Sequence, residues 1–290
     1  MKHNLNESSI EQLTIELLQS LGWENVFGPD IAPDTEKSNV GIARRKSFED
    51  VLLLDILENN LKLINPQIPD DAIHDAIKTI SHLPNHFPNL MSNNEAFHRL
   101  LTEGIPVTYR KNGEEKGDIV KIIDFENPEN NEFHAINQFT VIENHINKRP
   151  DIVLFVNGIP LVVIELKNPA DENATIKSAY NQIQTYKQTI PSLFSYNEIV
   201  VISDGLEAKI GSLSAGYDRF TAWKSMDGTH EAPHKVNQLE VLIKGLFNKD
   251  TFLDFLRFFI VFDKSKTEDE SGQTIVKLTK KFQPIINTML

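Results

Sequence analysis

Apolar residues at Ile10, Leu13, Leu17, Leu18 and Leu21 recur at mostly three- and four-residue intervals and are followed by Gly22. That spacing puts them on one stripe of a helix starting at Ser8 or Ser9, and the glycine supplies its stop. Glu11 and Glu16 lie beside the stripe. A loop rich in proline, aspartate and glycine (GPDIAPD, 28–34) and a basic run, Arg44, Arg45 and Lys46, come next. Three further helices are predicted near 48–63, near 70–83 and over 93–103.

The period then changes from helical to extended. Short strands predicted around 105–109, 118–123 and 138–143 lead into two nearly continuous runs of β-branched residues and leucine, 153–156 and 161–164, joined across Asn157-Gly158. Asn-Gly between apolar runs signals a tight hairpin, and runs without alternation mark central strands covered on both faces. The hairpin is expected to complete a sheet with the shorter strands. Asn173 is placed to cap a helix reaching about Gln188, with Ile176, Ala179, Ile183 and Tyr186 on its apolar face and Pro191 enforcing the stop. A buried strand over 198–203, a loop-like stretch over 205–233 and helices over 238–247 and 250–262 follow. The charged segment KSKTEDESGQ, 264–273, is expected to be a linker, so that 1–262 form one domain and 263–290 begin another.

Composition bounds the function classes. A chain of 290 residues with 40% apolar content is globular. It has no cysteine, which excludes disulfides and thiolate metal sites. The N-terminal MKHNLNESSIEQL lacks the apolar core of a signal peptide, and no uncharged apolar run approaches the roughly 20 residues that span a bilayer. A cytoplasmic protein with no membrane partner is expected. The net charge of −12, from 41 acids against 29 bases, is opposite to that of a general nucleic-acid binder. Any contact with DNA therefore has to be local, and between 143 and 187 bases and acids do balance.

The segment PDIVLFVNGIPLVVIELK, 150–167, sets Asp151, Glu165 and Lys167 on an apolar hairpin. An unpaired charge in an apolar surround is disfavoured by several kcal/mol or more. A divalent cation held by Asp151, Glu165 and the main-chain carbonyl of Leu166, with Lys167 facing an anionic substrate, would offset this. That layout serves metal-assisted phosphodiester hydrolysis. The plainer alternative has Asp151 capping a strand and Glu165 paired with Lys167 on an exposed edge. Register is the obstacle to the metal site: a two-residue turn pairs 156 with 159 and sets Asp151 opposite Ile164, on the wrong face. Convergence requires a bulge near Pro150 or Asp151, or a looser turn over 157–160.

Pro150-Asp151 with Glu165-Leu166-Lys167 resembles the PD-(D/E)xK nuclease superfamily, and Gln182 and Tyr186, at i, i+4 on one helix face, resemble the Q-x-x-x-Y extension of its RecB-like branch. With GPDIAPD, INKRPDIVLFVNGIPLVVIELKNP (146–169) and YNEIVVISDG (196–205), the chain is similar over most of 8–262 to the N-terminal nuclease domain of the restriction (R) subunit of Type I restriction-modification enzymes. The resemblance implies an α/β restriction-endonuclease-like core, a mixed central sheet flanked by helices, with a helical insertion over about 47–104. It implies Mg²⁺ (or Mn²⁺) on Asp151 and Glu165, Lys167 orienting or activating the attacking water, and Gln182 and Tyr186 supporting DNA contact or site geometry. Glu11 matches the family's first-helix acid, with Glu16 the other candidate. Double-stranded DNA and the methyltransferase (M) and specificity (S) subunits are the implied partners. Whole R subunits carry an ATP-driven helicase motor, whereas this chain has no G-x-x-x-x-G-K-[ST] phosphate loop, so the motor and its ATP are expected after Leu290. A repair or recombination nuclease of the same superfamily, or a non-catalytic DNA-binding or assembly module, are the competing readings.

Other constellations are weaker. His74, His82, His86 and His98 have no metal-ligand spacing and are expected at the surface or in packing. The stretch around Ser212 and Ser214 only approximates a nucleophile elbow. Arg44, Arg45 and Lys46 could meet phosphates, but a solvated loop is the expectation for an isolated run.

Overall fold

The computed structural model describes residues 7–37, 45–168, 175–268 and 274–283. The chain opens with α1 (Glu7–Ser20) and β1 (Glu24–Phe27), then α2 (Leu54–Ile64), α3 (Asp70–Ser81) and α4 (Leu90–Glu103). Strands follow: β2 (Ile105–Lys111), β3 (Glu114–Val120), β4 (Phe133–Asn137), β5 (Val141–Glu143), β6 (Ile146–Lys148), β7 (Ile152–Val156) and β8 (Ile159–Leu166). Next come α5 (Ile176–Thr189), α6 (Pro191–Ser195), β9 (Ile199–Ser203), β10 (Ala208–Gly211), α7 (Gln238–Leu246), α8 (Lys249–Phe258), β11 (Ile260–Glu268) and β12 (Thr274–Phe282).

The core is a six-stranded mixed sheet in the order β1-β4-β7-β8-β9-β10, with β1-β4 and β8-β9 parallel and the other pairs antiparallel. Every residue of β7, β8 and β9 is buried, as continuous apolar runs require of central strands. Helices α1 and α5 both pack on β8. Trp23 anchors α7 and α8 beside β1, with its ring edge-on to Phe133, Phe247 and Phe252 and its indole N–H donating to Phe247 O at 2.9 Å. This is the α/β restriction-endonuclease-like architecture expected, and α2–α4 supply the helical insertion.

Several expectations are corrected. The strands at 105–120 do not join the hairpin's sheet: β2 and β3 pair with each other, as do β5 and β6. The hairpin's neighbour on its β7 side is β4, whose five residues carry no alternation to announce it, and on its β8 side it is β9. Helix α2 begins at Leu54, not near 48, and α8 stops at Phe258, after which 260–268 extend as a strand through the end of the expected helix and the first half of the expected linker, whose remainder, 269–273, lies outside the described residues. The 205–233 stretch contains β10. Thr175 caps α5, its side chain accepting from Ser178 N; Asn173, the expected cap, lies outside the described residues, as does Arg44.

Arg45 is not solvated. It is buried, donates to three main-chain carbonyls (Asp50, Thr140 and Phe48) and sits 4.0 Å over the Phe139 ring, which fits a loop anchor and leaves nothing for a phosphate. Ser212 and Ser214 are clamps: both hydroxyls donate to the Lys280 carbonyl, fixing β12 to the core.

The required irregularity in the hairpin is present but elsewhere. The turn is tight, with positive φ at Asn157 (49°) and Gly158 (79°), and Val156 pairs with Ile159 and Phe155 with Pro160. Leu154 then pairs with Val162, Val153 with Val163 and Ile152 with Ile164. Leu161 is the extra residue, a bulge in the middle of the hairpin and not at Pro150, Asp151 or the turn. Extending that register sets position 151 opposite 165.

Candidate active site

The bulge puts Asp151, which immediately precedes β7, and Glu165, near the end of β8, on one sheet face. Asp151 Oδ2 accepts the Leu166 N–H at 2.7 Å. Glu165 is fully buried; its Oε1 accepts from Lys167 Nζ at 2.6 Å, and the same ammonium donates to Leu166 O at 3.0 Å. Glu165 Oε2, also buried, has no hydrogen-bond partner among the described residues. The three residues expected to converge are together, and the exposed-edge alternative fails on burial.

Their electrostatics follow from that crowding. Burial pushes the Asp151 carboxyl up to about 6, aided by the charges of Glu7 and Glu11, while the Leu166 N–H and Lys167 pull the other way. Glu165 is pushed up to about 8, first by burial and then by repulsion from Asp151, against the pull of Lys167. Burial acts to lower the Lys167 ammonium, but Glu165 more than offsets it and leaves it raised. Burial and mutual repulsion thus raise both carboxyls, and the Lys167 ammonium offsets this only in part.

Helix α1 brings further acids. Glu11 accepts from Asn137 Nδ2 at 2.7 Å and from Gln138 Nε2 at 2.6 Å, at the end of β4 where Gln138 N donates to Asp151 O. Glu16 points to solvent and pairs with Gln12, so of the two candidates Glu11 is the one beside the site. Glu7, one turn earlier, adds its charge to the field on Asp151, Glu165 and Lys167. Sequence reasoning missed Glu7, Asn137 and Gln138. A helical turn of four from Glu11 was the available signal for Glu7; the amides gave none. Gln138 also holds φ +58°, a left-handed conformation that non-glycine residues seldom take.

Two of the quoted motif stretches support this corner. A Cβ on Gly28 would lie 2.6 Å from Gln138 O and 2.8 Å from Asn137 O, and one on Gly205 would lie 2.6 Å from Ile10 Cδ1. The glycines let the GPDIAPD loop close on the β4 end and the 203–205 turn close on α1.

Helix α5 borders the site on another side. Tyr186 is buried; its hydroxyl accepts from Gln182 Nε2 at 2.5 Å and donates to Arg149 O at 3.5 Å. Burial and then the neighbouring Glu165 push its phenol up, so it stays protonated. Gln182 and Tyr186 therefore join the acid pair to an open cleft of about 600 Å³ that both of them line.

Among the described residues no group of three or more His, Asp or Glu side chains is arranged to hold a metal. The donor set is instead two carboxylates and the Leu166 carbonyl, all oxygen, which suits a hard divalent cation completed by water. Glu165 Oε2 fits that group: it is a buried acceptor without a hydrogen-bond partner among the described residues.

The chain matches the family described as Type I restriction enzyme R protein N terminus over residues 4–219. It is 40% identical over 282 residues, 96% of this chain and 26% of the relative, to the Type I restriction enzyme HindI endonuclease subunit of Haemophilus influenzae. It is 34% identical over 282 residues, 90% of this chain and 26% of the relative, to the putative type I restriction enzyme MjaIXP endonuclease subunit of Methanocaldococcus jannaschii. It thus spans about a quarter of the length of these curated relatives. The matched region runs from α1 through both strands of the bulged hairpin and past the helix bearing Gln182 and Tyr186, and the chain belongs to the Type I restriction enzyme R protein N-terminal family.

Proposed function

We propose that this chain is the DNA-cleaving domain of a Type I restriction enzyme R subunit and hydrolyses DNA phosphodiesters with Mg²⁺, which Mn²⁺ can replace. The observation that carries the reading is the pair of buried acids brought to one face by the Leu161 bulge, with one carboxylate oxygen unpartnered. Asp151, Glu165 and the Leu166 carbonyl would hold the cation, which when bound activates water and neutralises the phosphate. Lys167 would supply fixed positive charge for the developing pentavalent phosphate. The Leu166 N–H keeps Asp151 aimed, and Glu11, itself held by Asn137 and Gln138, adds a third acid at the edge of the site.

The same reading takes an ATP-driven motor outside these residues, methyltransferase and specificity subunits as partners and double-stranded DNA as substrate in the cytoplasm; the relatives' greater length leaves room for a motor, and their description as subunits fits an assembly. No described helix is long and apolar enough to cross a membrane. The test is cleavage by the assembled complex carrying Asp151→Ala or Lys167→Ala. Loss of cutting in both, with DNA still bound, is expected; undiminished cutting in both overturns the reading.

A further inference from the structure

The cleft beside the acid pair is lined by amides, by cations and by the hydroxyls of Thr140, Ser178, Thr185 and Tyr186. Asn147, Asn181 and Gln182 present side-chain amides, and Lys148 and Arg149 present cations. Among the described residues, the side chains of Asn147, Lys148, Arg149 and Asn181 make no hydrogen bond or ion pair. Unengaged cations side by side are notable in a chain whose net charge is −12. The cleft has no carboxylate in its wall.

This chemistry matches one nucleotide. A primary amide offers donor and acceptor together, which is what a base edge demands, and an ammonium and a guanidinium suit its phosphate. A volume of about 600 Å³ lies in the range of small-ligand sites. A duplex leaves only its groove edges to such amides, whereas an unpaired nucleotide can bring its Watson–Crick edge into a concave wall. The cleft also joins the acids directly: Arg149 is two residues before Asp151, and the Tyr186 hydroxyl donates to its carbonyl.

We propose that this cleft is a subsite for an unpaired nucleotide of the DNA strand flanking the scissile phosphate, with its phosphate on Lys148 and Arg149 and its base on Asn147, Asn181 and Gln182. The domain would then engage locally opened DNA in preference to intact duplex. This rests on the nuclease reading for the identity of the strand but not on metal binding or cleavage.

The test is fluorescence anisotropy of the 290-residue chain in EDTA, so that no cutting occurs, with a 5′-phosphorylated single-stranded octanucleotide, a closed dumbbell duplex of the same sequence and free AMP. The octanucleotide should bind about tenfold more tightly than the dumbbell, and AMP far more weakly. Asn181→Ala and Lys148→Ala should each weaken octanucleotide binding several-fold, the lysine effect shrinking with salt and the asparagine effect persisting. Lys111→Ala, at an exposed lysine that ends β2, should change nothing. Equal or tighter dumbbell binding, octanucleotide binding unchanged in both cleft variants, or equal weakening by Lys111→Ala overturns the subsite. Because cleavage is absent from this assay, its failure leaves the nuclease reading intact, and loss of cutting in the Asp151 variant is judged separately.

Discussion

Asp151 reaches across the hairpin to the main chain of Leu166, its Oδ2 accepting that N–H at 2.7 Å. One carboxylate thus does two things: it presents an oxygen to the site and satisfies a buried main-chain donor. Asparagine can keep the second role without the first. Asp151→Asn should abolish Mg²⁺ binding by calorimetry yet fold at least as stably as wild type at neutral pH. Asp151→Ala, which leaves the donor unpaired, should be less stable than Asp151→Asn by about 1–3 kcal/mol in denaturant melts. Equal stability of the two variants would mean that the hydrogen bond contributes nothing.

The raised acids make stability depend on pH in a defined direction. A carboxyl whose folded pKa lies above its unfolded value binds its proton more tightly when folded, so that stability is present at low pH and lost as pH rises through the folded pKa. Asp151 moves from 3.8 to about 6 and Glu165 from 4.5 to about 8. The metal-free chain should therefore lose stability between about pH 4 and about pH 8, on the order of 3 kcal/mol from Asp151 alone. Mg²⁺ binds the ionised pair, so its upward shift of the melting temperature should grow across the upper half of that window and be absent in Glu165→Gln. A magnesium shift that does not vary with pH would contradict this assignment.

The site was legible in the chain because its chemistry lies in one short segment. Asp151, Glu165 and Lys167 are charges in an apolar run, and the tight Asn157-Gly158 turn makes the need for an extra residue a matter of counting. Where that residue sits was not legible: Leu161 is flanked by Pro160 and valines, and nothing local distinguishes it from its neighbours. The partners of the hairpin were hidden for a different reason. Strand β4 is recognised by what it pairs with, at both edges, and β11–β12 by burial of Lys280, a residue whose local sequence is polar. Arg45 read as solvated because a guanidinium usually is; three carbonyls and the Phe139 ring override that preference.

Gly28 is where the 28–34 loop meets the Asn137 and Gln138 carbonyls, with no room for a methyl group. Gly28→Ala should destabilise the fold by about 1–3 kcal/mol, and because the same two residues hold Glu11, it should also weaken Mg²⁺ binding in the folded fraction. Gly117→Ala, with nothing within 4 Å of its new methyl and no positive φ, is the control expected to change neither. Thermal melts and calorimetry on both variants separate the two effects. Intact metal affinity in Gly28→Ala would show that the β4 end does not position the site.

The C-terminal hairpin is held by a buried charge. Lys280 of β12 and Glu198, the residue before β9, are both fully buried and hydrogen-bonded to each other, with Lys280 Nζ also donating to Asn94 Oδ1 and Asn197 O at 3.0 Å. His98 Nδ1 approaches the same carboxylate oxygen at 3.1 Å. Burial alone would raise the Glu198 carboxyl; Lys280 and His98 more than offset it and hold it below the usual range. A buried pair of this kind is often no more stable than apolar residues of similar size, but removing one partner strands the other. Glu198→Leu should therefore destabilise by about 3–5 kcal/mol, and adding Lys280→Met should recover much of that loss. Such recovery in denaturant melts would mean that the pair fixes the position of the hairpin without being a net source of stability. If the double variant is instead as unstable as the sum of the single ones, the coupling between β12 and the strand beside Glu165 does not run through this contact.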